Sequence, residues 1–529
     1  MDSPDSARRP PLRSLIVRNR KRTVLGMDPQ QVIKYFFGSN ASTAVIVLVL
    51  IMVFLLREGI DFLPTYRHEL ETYRQAGLEL CDIADRPLKA QQELTSILRR
   101  AKAAAGDAAV KEALGDAEDT FDTAIEPATE VLDELKEHAQ ETKELAVEFH
   151  TLESSRQQLL AGAAKAKDPA EKADLLKEAE ASKVDPVNFG ERIAPLLERR
   201  EELVTKLNEY VIALETAAAT LPNDNQFVEE VRAAVPRHGK DIKTAAENLK
   251  AWQWEKPVSM FRVIGAFFFG RQWITNSSWQ DFYGFVPLLT GSVVIALIAI
   301  LLATPISVTA AIYTNQFASD REKEMIKPVI EFIQAIPSVV LGFIGISLVG
   351  NLIKDVSEWG ILQWVPGFPI QERLNMFNAG CLLAFMAVPT MFSLSEDALN
   401  NVPRAYIDAS DALGATKLQT VFRVIVPAGI SGILSAILLG LGRVIGETMV
   451  VLLVAGNRIA IPDFSAGPGV IFQPAHTLTG IIAQELGEVS RGSSHWQALF
   501  MVGIVLFAIS LLVNWCARTV ARRFESHKA

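Results

Sequence analysis

The chain has 529 residues, 49% of them hydrophobic and 21% charged, with a formal net charge of −9. That length exceeds one ordinary domain, and the three cysteines, Cys81, Cys381 and Cys516, are too few and too far apart for a disulfide framework or a zinc site. Residues 65–255 hold 39 acidic and 25 basic side chains, a net of −14 that leaves +5 on the remainder, so the acidity belongs to one segment and excludes nothing about partners elsewhere.

Residues 1–35 are basic, with Arg8, Arg9, Arg13, Arg18, Arg20, Lys21, Arg22 and Lys34. The apolar run 36–56 that follows matches the roughly 20 residues a helix needs to cross a bilayer. Arg57-Glu58 comes next where a cleaved signal would carry small residues, so the run is read as an uncleaved anchor. Residues 57–257 are rich in Ala, Glu, Leu and Lys, which favour helix. Leu203, Leu207, Tyr210 and Leu214 recur at spacings of four and three, a helix-packing seam, while Pro186, Pro195, Pro222 and Pro236 are read as turns between long antiparallel helices. The expectation is an extracytoplasmic helical bundle acting as a spacer or docking surface, with a sensory role as the second reading.

Residues 258–283 form an interfacial segment: the run 258–273 contains Arg262 and Arg271 and is expected to lie along the membrane surface as a helix. Further membrane spans are expected at 285–313, 329–353, 376–394, 430–455 and 498–516, six in all, giving a membrane core over 284–518. Arg518, Arg522, Arg523 and Lys528 follow the last span, the last three in a tail over 519–529. Basic residues flanking short loops stay in the cytoplasm. An even number of crossings then places both termini inside, 57–257 outside, and the loop 400–428 with Arg404, Lys417 and Arg423 inside. Pro305, Pro328, Pro337 and Pro389 fall within or beside the spans, where kinks on a pathway and ordinary packing are both open.

The loop reads Asp408-Ala409-Ser410, then Leu413-Gly414-Ala415, then Val424-Ile425-Val426-Pro427, a pattern for a short helix, a glycine turn and a second short helix returning to the membrane. Within the fifth span stand Gly442-Arg443-Val444-Ile445-Gly446-Glu447-Thr448. A charge at a helix centre costs roughly 2.5–3.5 kcal/mol on insertion scales, so Arg443 and Glu447 are expected to face the protein interior. Four apart, they would share a helical face, with Gly442 and Gly446 beside them admitting a neighbouring backbone or an anion. An oxyanion site and a plain Arg–Glu bridge both fit. His495, beside Trp496, is read as interfacial.

These residues resemble a known family. Asp408-Ala409-Ser410, Gly414 and the segment ending in Pro427 stand where permeases of ABC importers carry the cytoplasmic loop that docks into the ATPase subunit, although Asp408 and Ser410 depart from its usual letters. Arg443, Gly446, Glu447, Thr448 and Met449, followed by Ala455-Gly456-Asn457, resemble the PstC-type permease of the bacterial phosphate importer. Ala335-Ile336-Pro337-Ser338, Val388-Pro389-Thr390, Ser393 to Leu399 with Val402-Pro403, and Gly270-Arg271-Gln272-Trp273 resemble it too.

The resemblance covers the first span and about 258 onward. It implies an all-α, polytopic bundle of six transmembrane helices, of the ABC importer type I permease kind, with a large extracytoplasmic helical insertion. The implied function is translocation of inorganic phosphate across the bacterial inner membrane by an ATP-driven ABC importer. Arg443 and Glu447, with Thr448, Gly442 and Gly446, would be its translocation residues, and Asp408, Ala409, Ser410, Gly414, Ala415 and Pro427 its coupling loop. Implied partners are two cytoplasmic ATP-binding subunits, a homologous second permease, an extracytoplasmic phosphate-binding protein and membrane lipid, with no nucleic acid. No phosphate-cradling G-x-x-x-x-G-K-[ST] loop occurs, so the chain is not expected to be an ATPase, and no cofactor or metal is expected. Another oxyanion remains open as substrate. A secondary transporter would show inverted repeats or paired broken helices, of which the sequence carries no sign, and a receptor would need a larger cytoplasmic module.

Overall fold

The computed structural model describes residues 29–525 apart from 167, 223–225 and 363, with no side-chain description at 29–33, 161, 165, 171 and 521–525. Arg8, Arg9, Arg13, Arg18, Arg20, Lys21, Arg22 and Lys528, and the side chains of Arg522 and Arg523, therefore lie outside it. Among the described residues the protein is all-α but for one two-stranded ribbon, and six helices are long and apolar enough to cross a membrane.

The first of these, α1 (Pro29–Ile60), runs on through Asp61 into α2 (Phe62–Gln75). Gly77, at φ +88°, turns the chain where a Cβ would strike Leu196. Beyond it α3 (Leu78–Lys89), α4 (Gln91–Ala104), α5 (Ala108–Lys165), α6 (Pro169–Ala181), α7 (Phe189–Thr220) and α8 (Gln226–Ala251) form a bundle. At about 1.5 Å per residue the 58-residue α5 is roughly 85 Å long. Asp107 and Asp168 cap α5 and α6 by accepting from Ala109 and Ala170 N–H, both at 3.0 Å. The seam Leu203, Leu207, Tyr210 and Leu214 is fully buried, against Leu98, Phe121, Leu132, Val231 and Ile242. Two of the four prolines expected to mark turns do not. Pro195 and Pro236 lie inside α7 and α8, both exposed, so the helices run on through them with their rings in solvent.

The segment expected as one interfacial helix over 258–273 is helical only as α9 (Met260–Phe268), and a hairpin of β1 (Trp273–Ile274) and β2 (Phe282–Tyr283) follows. Val263 and Phe267 of α9 are buried while Phe261 and Phe269 are almost wholly exposed. A collar of Phe62, Tyr66, Phe267, Trp273, Tyr283 and Phe285 joins α2, α9 and the hairpin to the helices that follow.

Those helices are α10 (Val286–Gln316), α11 (Asp320–Ala335), α12 (Ser338–Ile344), α13 (Gly350–Ser357) and α14 (Met376–Asn400). A π-turn at Gly345–Val349 joins α12 to α13. The third span, expected over 329–353, starts instead at Ser338. Ile336 precedes a proline and adopts an extended conformation, which ends α11 within the stretch read as one span. After α15 (Arg404–Ala412) and α16 (Lys417–Thr420), α17 (Val426–Ile445) continues α16 through a second π-turn at Val421–Ile425. The wider turn sits just ahead of Pro427, whose ring would crowd a regular one. Last come α18 (Met449–Val454), α19 (Leu478–Glu485) and α20 (Ser494–Glu525). Helix α14 is central, packed along α10 and α17, while α20 lies against α17 and α1.

Candidate translocation site and the 404–427 loop

Helix α17 ends two residues after Arg443, and the span expected as one helix over 430–455 is broken. Gly446 N–H bonds to Gly442 carbonyl at 3.3 Å and Glu447 N–H to Val444 carbonyl at 3.2 Å, which closes the last turn; α18 starts afresh at Met449. Glu447 caps that new start: its Oε1 accepts from Met449 N–H at 3.2 Å and lies 3.5 Å from Val450 N. A carboxylate there satisfies donors a helix start leaves unpaired and meets the positive end of the helix dipole.

The expected shared face of Arg443 and Glu447 is therefore absent, because the helix stops between them. No ion pair joins the two side chains within 4 Å. Arg443, exposed, reaches across to α14, where its Nη1 donates to Thr390 Oγ1 at 2.6 Å. From α19, the Thr479 hydroxyl donates to Glu447 carbonyl oxygen at 2.9 Å, which pins the break. Thr448 and Thr479 line one side of a cavity of about 640 Å³, and Arg491 stands on the same lining with its guanidinium 6.0 Å above the Trp496 ring.

The glycines divide differently from expectation. A Cβ on Gly442 would make only an ordinary 3.9 Å contact with Val513 of α20, and one on Gly446 would meet only its own chain. Close helix approach belongs to Gly440, where a Cβ would sit 2.6 Å from Met391 Cγ, and to Gly432 against Ala398. Thr390 and Thr479 are the partners sequence reasoning did not select. Thr390 carried a signal in its position after Pro389; Thr479 carried none, since tertiary packing alone brings α19 to the break. His495, expected at an interface, is buried with Nε2 at 2.8 Å from Glu485 Oε2.

In the loop, α15 ends at a turn in which Gly414 takes φ +74°, and Gly414 N–H bonds to Asp411 carbonyl at 2.9 Å. Thr416 and Gln419 form a capping box that starts α16. Beneath the turn, Ser410 Oγ and Thr420 Oγ1 lie 2.9 Å apart and buried, which fixes α15 against α16, and Ala415 N–H bonds to Ser410 carbonyl at 3.2 Å. Asp408 and Ala409 face outward, as do Tyr406, Leu413, Leu418 and Phe422, so the tip is an apolar surface edged by a carboxylate.

Residues 303–526 match the family described as binding-protein-dependent transport system inner membrane component. A probable ABC transporter permease protein, YqgH, of Bacillus subtilis is 31% identical over 257 residues, 48% of this chain and 78% of that protein. The phosphate transport system permease protein PstC 1 of Mycobacterium tuberculosis is 33% identical over 252 residues, 46% of this chain and 73% of its own. PstC of Haemophilus influenzae is 29% identical over 271 residues, 49% and 84% respectively. The chain belongs to this inner-membrane component family.

As a member of the binding-protein-dependent transport family it is a multi-pass permease subunit and not an ATPase, and both the helix break and the 404–427 loop fall inside the matched region. The bundle of α3 to α8 lies wholly outside that region.

Proposed function

We propose that the chain carries inorganic phosphate across the bacterial inner membrane as one permease subunit of an ATP-driven importer, with Arg443 as the anion-binding group. The observation that carries this reading is the unspent guanidinium. Nη1 is engaged by the neutral Thr390 hydroxyl, while Nε and Nη2 have no partner among the described residues. An arginine is always charged and presents a fork that suits a phosphate oxygen pair. With Glu447 occupied as a helix cap, no carboxylate among the described residues pairs with that charge. Thr448 at the break adds a hydroxyl, and Gly442 and Gly446 leave the approach open on the same turn.

The PstC relatives are named for phosphate transport, and their likeness favours that anion. In this reading both termini are cytoplasmic, 57–257 is an extracytoplasmic unit, and a binding protein delivers phosphate from that side. A homologous second permease covers the exposed faces of the spans. Two ATP-binding subunits receive the loop tip through Asp408, Ala409 and the surface built on Ser410, Gly414, Ala415 and Pro427. Nucleotide binding would bias a two-state bundle, with the break at 446–448 as the place where its halves meet.

Uptake of labelled phosphate into vesicles containing the reconstituted complex tests this, comparing wild type with Arg443→Gln after co-purification has shown intact assembly. Loss of two charge-assisted hydrogen bonds should cut uptake about 100-fold or more. Unchanged uptake in the variant would remove Arg443 from the path. Wild-type vesicles that move sulfate but not phosphate would keep the architecture and replace the substrate.

A further inference from the structure

A second group of arginines lies far from Arg443 in the chain, where the bundle meets the outer ends of the spans. A cavity of about 740 Å³ there is lined by Arg74, Arg86, Arg262 and Arg271 together with only two carboxylates, Glu79 and Asp82. Both carboxylates are already engaged. Glu79 holds Arg74 at 2.6 Å, also binds Arg262, and accepts from the Trp252 indole at 3.2 Å. Asp82 accepts from the Tyr73 hydroxyl and, at 3.0 Å, from the Trp279 indole. The guanidiniums of Arg86 and Arg271 make no hydrogen bond or close ion pair among the described residues; Asp82 meets Arg86 only through its charge, and four arginines against two carboxylates leave the lining with an excess of positive charge.

Backbone geometry fixes where Arg271 stands. Gly270 and Gly284 cross so closely that a Cβ on Gly284 would lie 2.6 Å from Gln272 carbonyl oxygen, and Gly284 N–H bonds to that oxygen at 2.8 Å. Val286 N–H bonds to Gly270 carbonyl at 3.2 Å. Arg271 is thereby held at the start of α10 without help from its own side chain, which gives the Gly270-Arg271-Gln272-Trp273 motif a physical purpose. Beside it, α9 turns Phe261 and Phe269 outward, 87% and 77% exposed, as a helix lying in a membrane interface does. Two forks whose N–H groups make no hydrogen bond to a carboxylate suit a doubly hydrogen-bonded oxyanion.

We propose that this cavity binds a phosphate group through Arg86 and Arg271, presented either by an anionic lipid headgroup or by free phosphate. The site is separate from Arg443, and its test does not depend on transport. The full chain is reconstituted with Arg443→Gln in every arm, so that no signal comes from the translocation site. In nanodiscs of phosphatidylcholine, labelled orthophosphate binding is measured by equilibrium dialysis. In nanodiscs of mixed phosphatidylglycerol and phosphatidylcholine, retained lipid is measured by native mass spectrometry. Arg86→Gln/Arg271→Gln is compared in both, with thermal melts to check folding; should its melt fall, Arg86→Lys/Arg271→Lys takes its place, keeping charge but losing the fork.

Orthophosphate binding that weakens at least about tenfold in the double variant supports the cavity with free phosphate as its ligand. Phosphatidylglycerol retention that disappears in the double variant, without orthophosphate binding, supports it with a lipid headgroup. Identical orthophosphate binding and lipid retention in the variant and its parent overturn the proposal.

Discussion

Helices α7 and α10 are 32 and 31 residues long, and they arrange their side chains in opposite senses. In α7 the buried positions are large, Leu203, Leu207, Tyr210 and Leu214, and the outward ones are Glu201, Glu202, Lys206 and Glu209. In α10 most buried positions are small, among them Gly291, Ala296, Ala299, Ala303, Ser307 and Ala311 beside the larger Leu288, Ile295 and Ile298, while Leu297, Leu301 and Ile306 point outward. Water explains the first arrangement, because removing large apolar area from it drives packing. Lipid explains the second: tails are as apolar as leucine, so helices associate where small residues let them approach, and large side chains are free to face outward.

The strongest way to break this comparison is at Gly291 on α10. A Cβ there would run into His476 carbonyl oxygen, which is backbone and cannot move aside cheaply. Gly291→Val should abolish a monodisperse folded chain in size-exclusion chromatography of the detergent-purified protein. A well-folded variant would show that this close approach is not required.

Leucine truncations sharpen the contrast directly. Leu207→Ala, in the bundle core, should cost about 2–5 kcal/mol, while Leu301→Ala, 72% exposed on α10, should cost less than about 0.5 kcal/mol. Thermal or denaturant melts of the full chain in nanodiscs would read both, and equal costs would defeat the solvent argument.

Acid should act on the bundle. Burial holds the His238 imidazole below the ordinary histidine range, and burial followed by the charge of His68 does the same to His150. For a base lowered in the folded state, the unfolded chain binds the proton more readily. Stability is therefore complete above the unfolded value of about 6.5 and falls as pH drops below it. The melt should come at a lower temperature at pH 5.5 than at pH 7.5, with a smaller difference in His238→Gln. Glu118, whose carboxyl is lowered first by its hydrogen bond from Arg99, adds a separate loss beneath the ordinary carboxylate range. A pH-independent melt would contradict the histidine argument. The smallest effect belongs to Gly442→Ala: with 3.9 Å to Val513, stability should shift by less than about 0.5 kcal/mol in the same melt, whereas a large loss would show a tighter packing at α20.

Sequence by itself determined six apolar segments of membrane length, a charged helical insertion between the first two, and a loop with glycine at the turn. Each is a local matter of composition or of one residue's backbone freedom, so Gly414 could be placed at a positive φ without knowing any neighbour. Tertiary structure alone decided the rest. Arg443 and Glu447 looked paired because a helix was assumed to continue; the break is held by Thr479 from α19, far away in sequence, and Arg443 turns to Thr390 on α14. Reading 329–353 as one span also missed the end of α11 before Pro337, and helical periodicity gave no warning that Gly440 and Gly432, rather than Gly442, face α14. Periodicity fixes which residues share a face only while the helix lasts, and where it stops depends on partners that the local sequence does not contain.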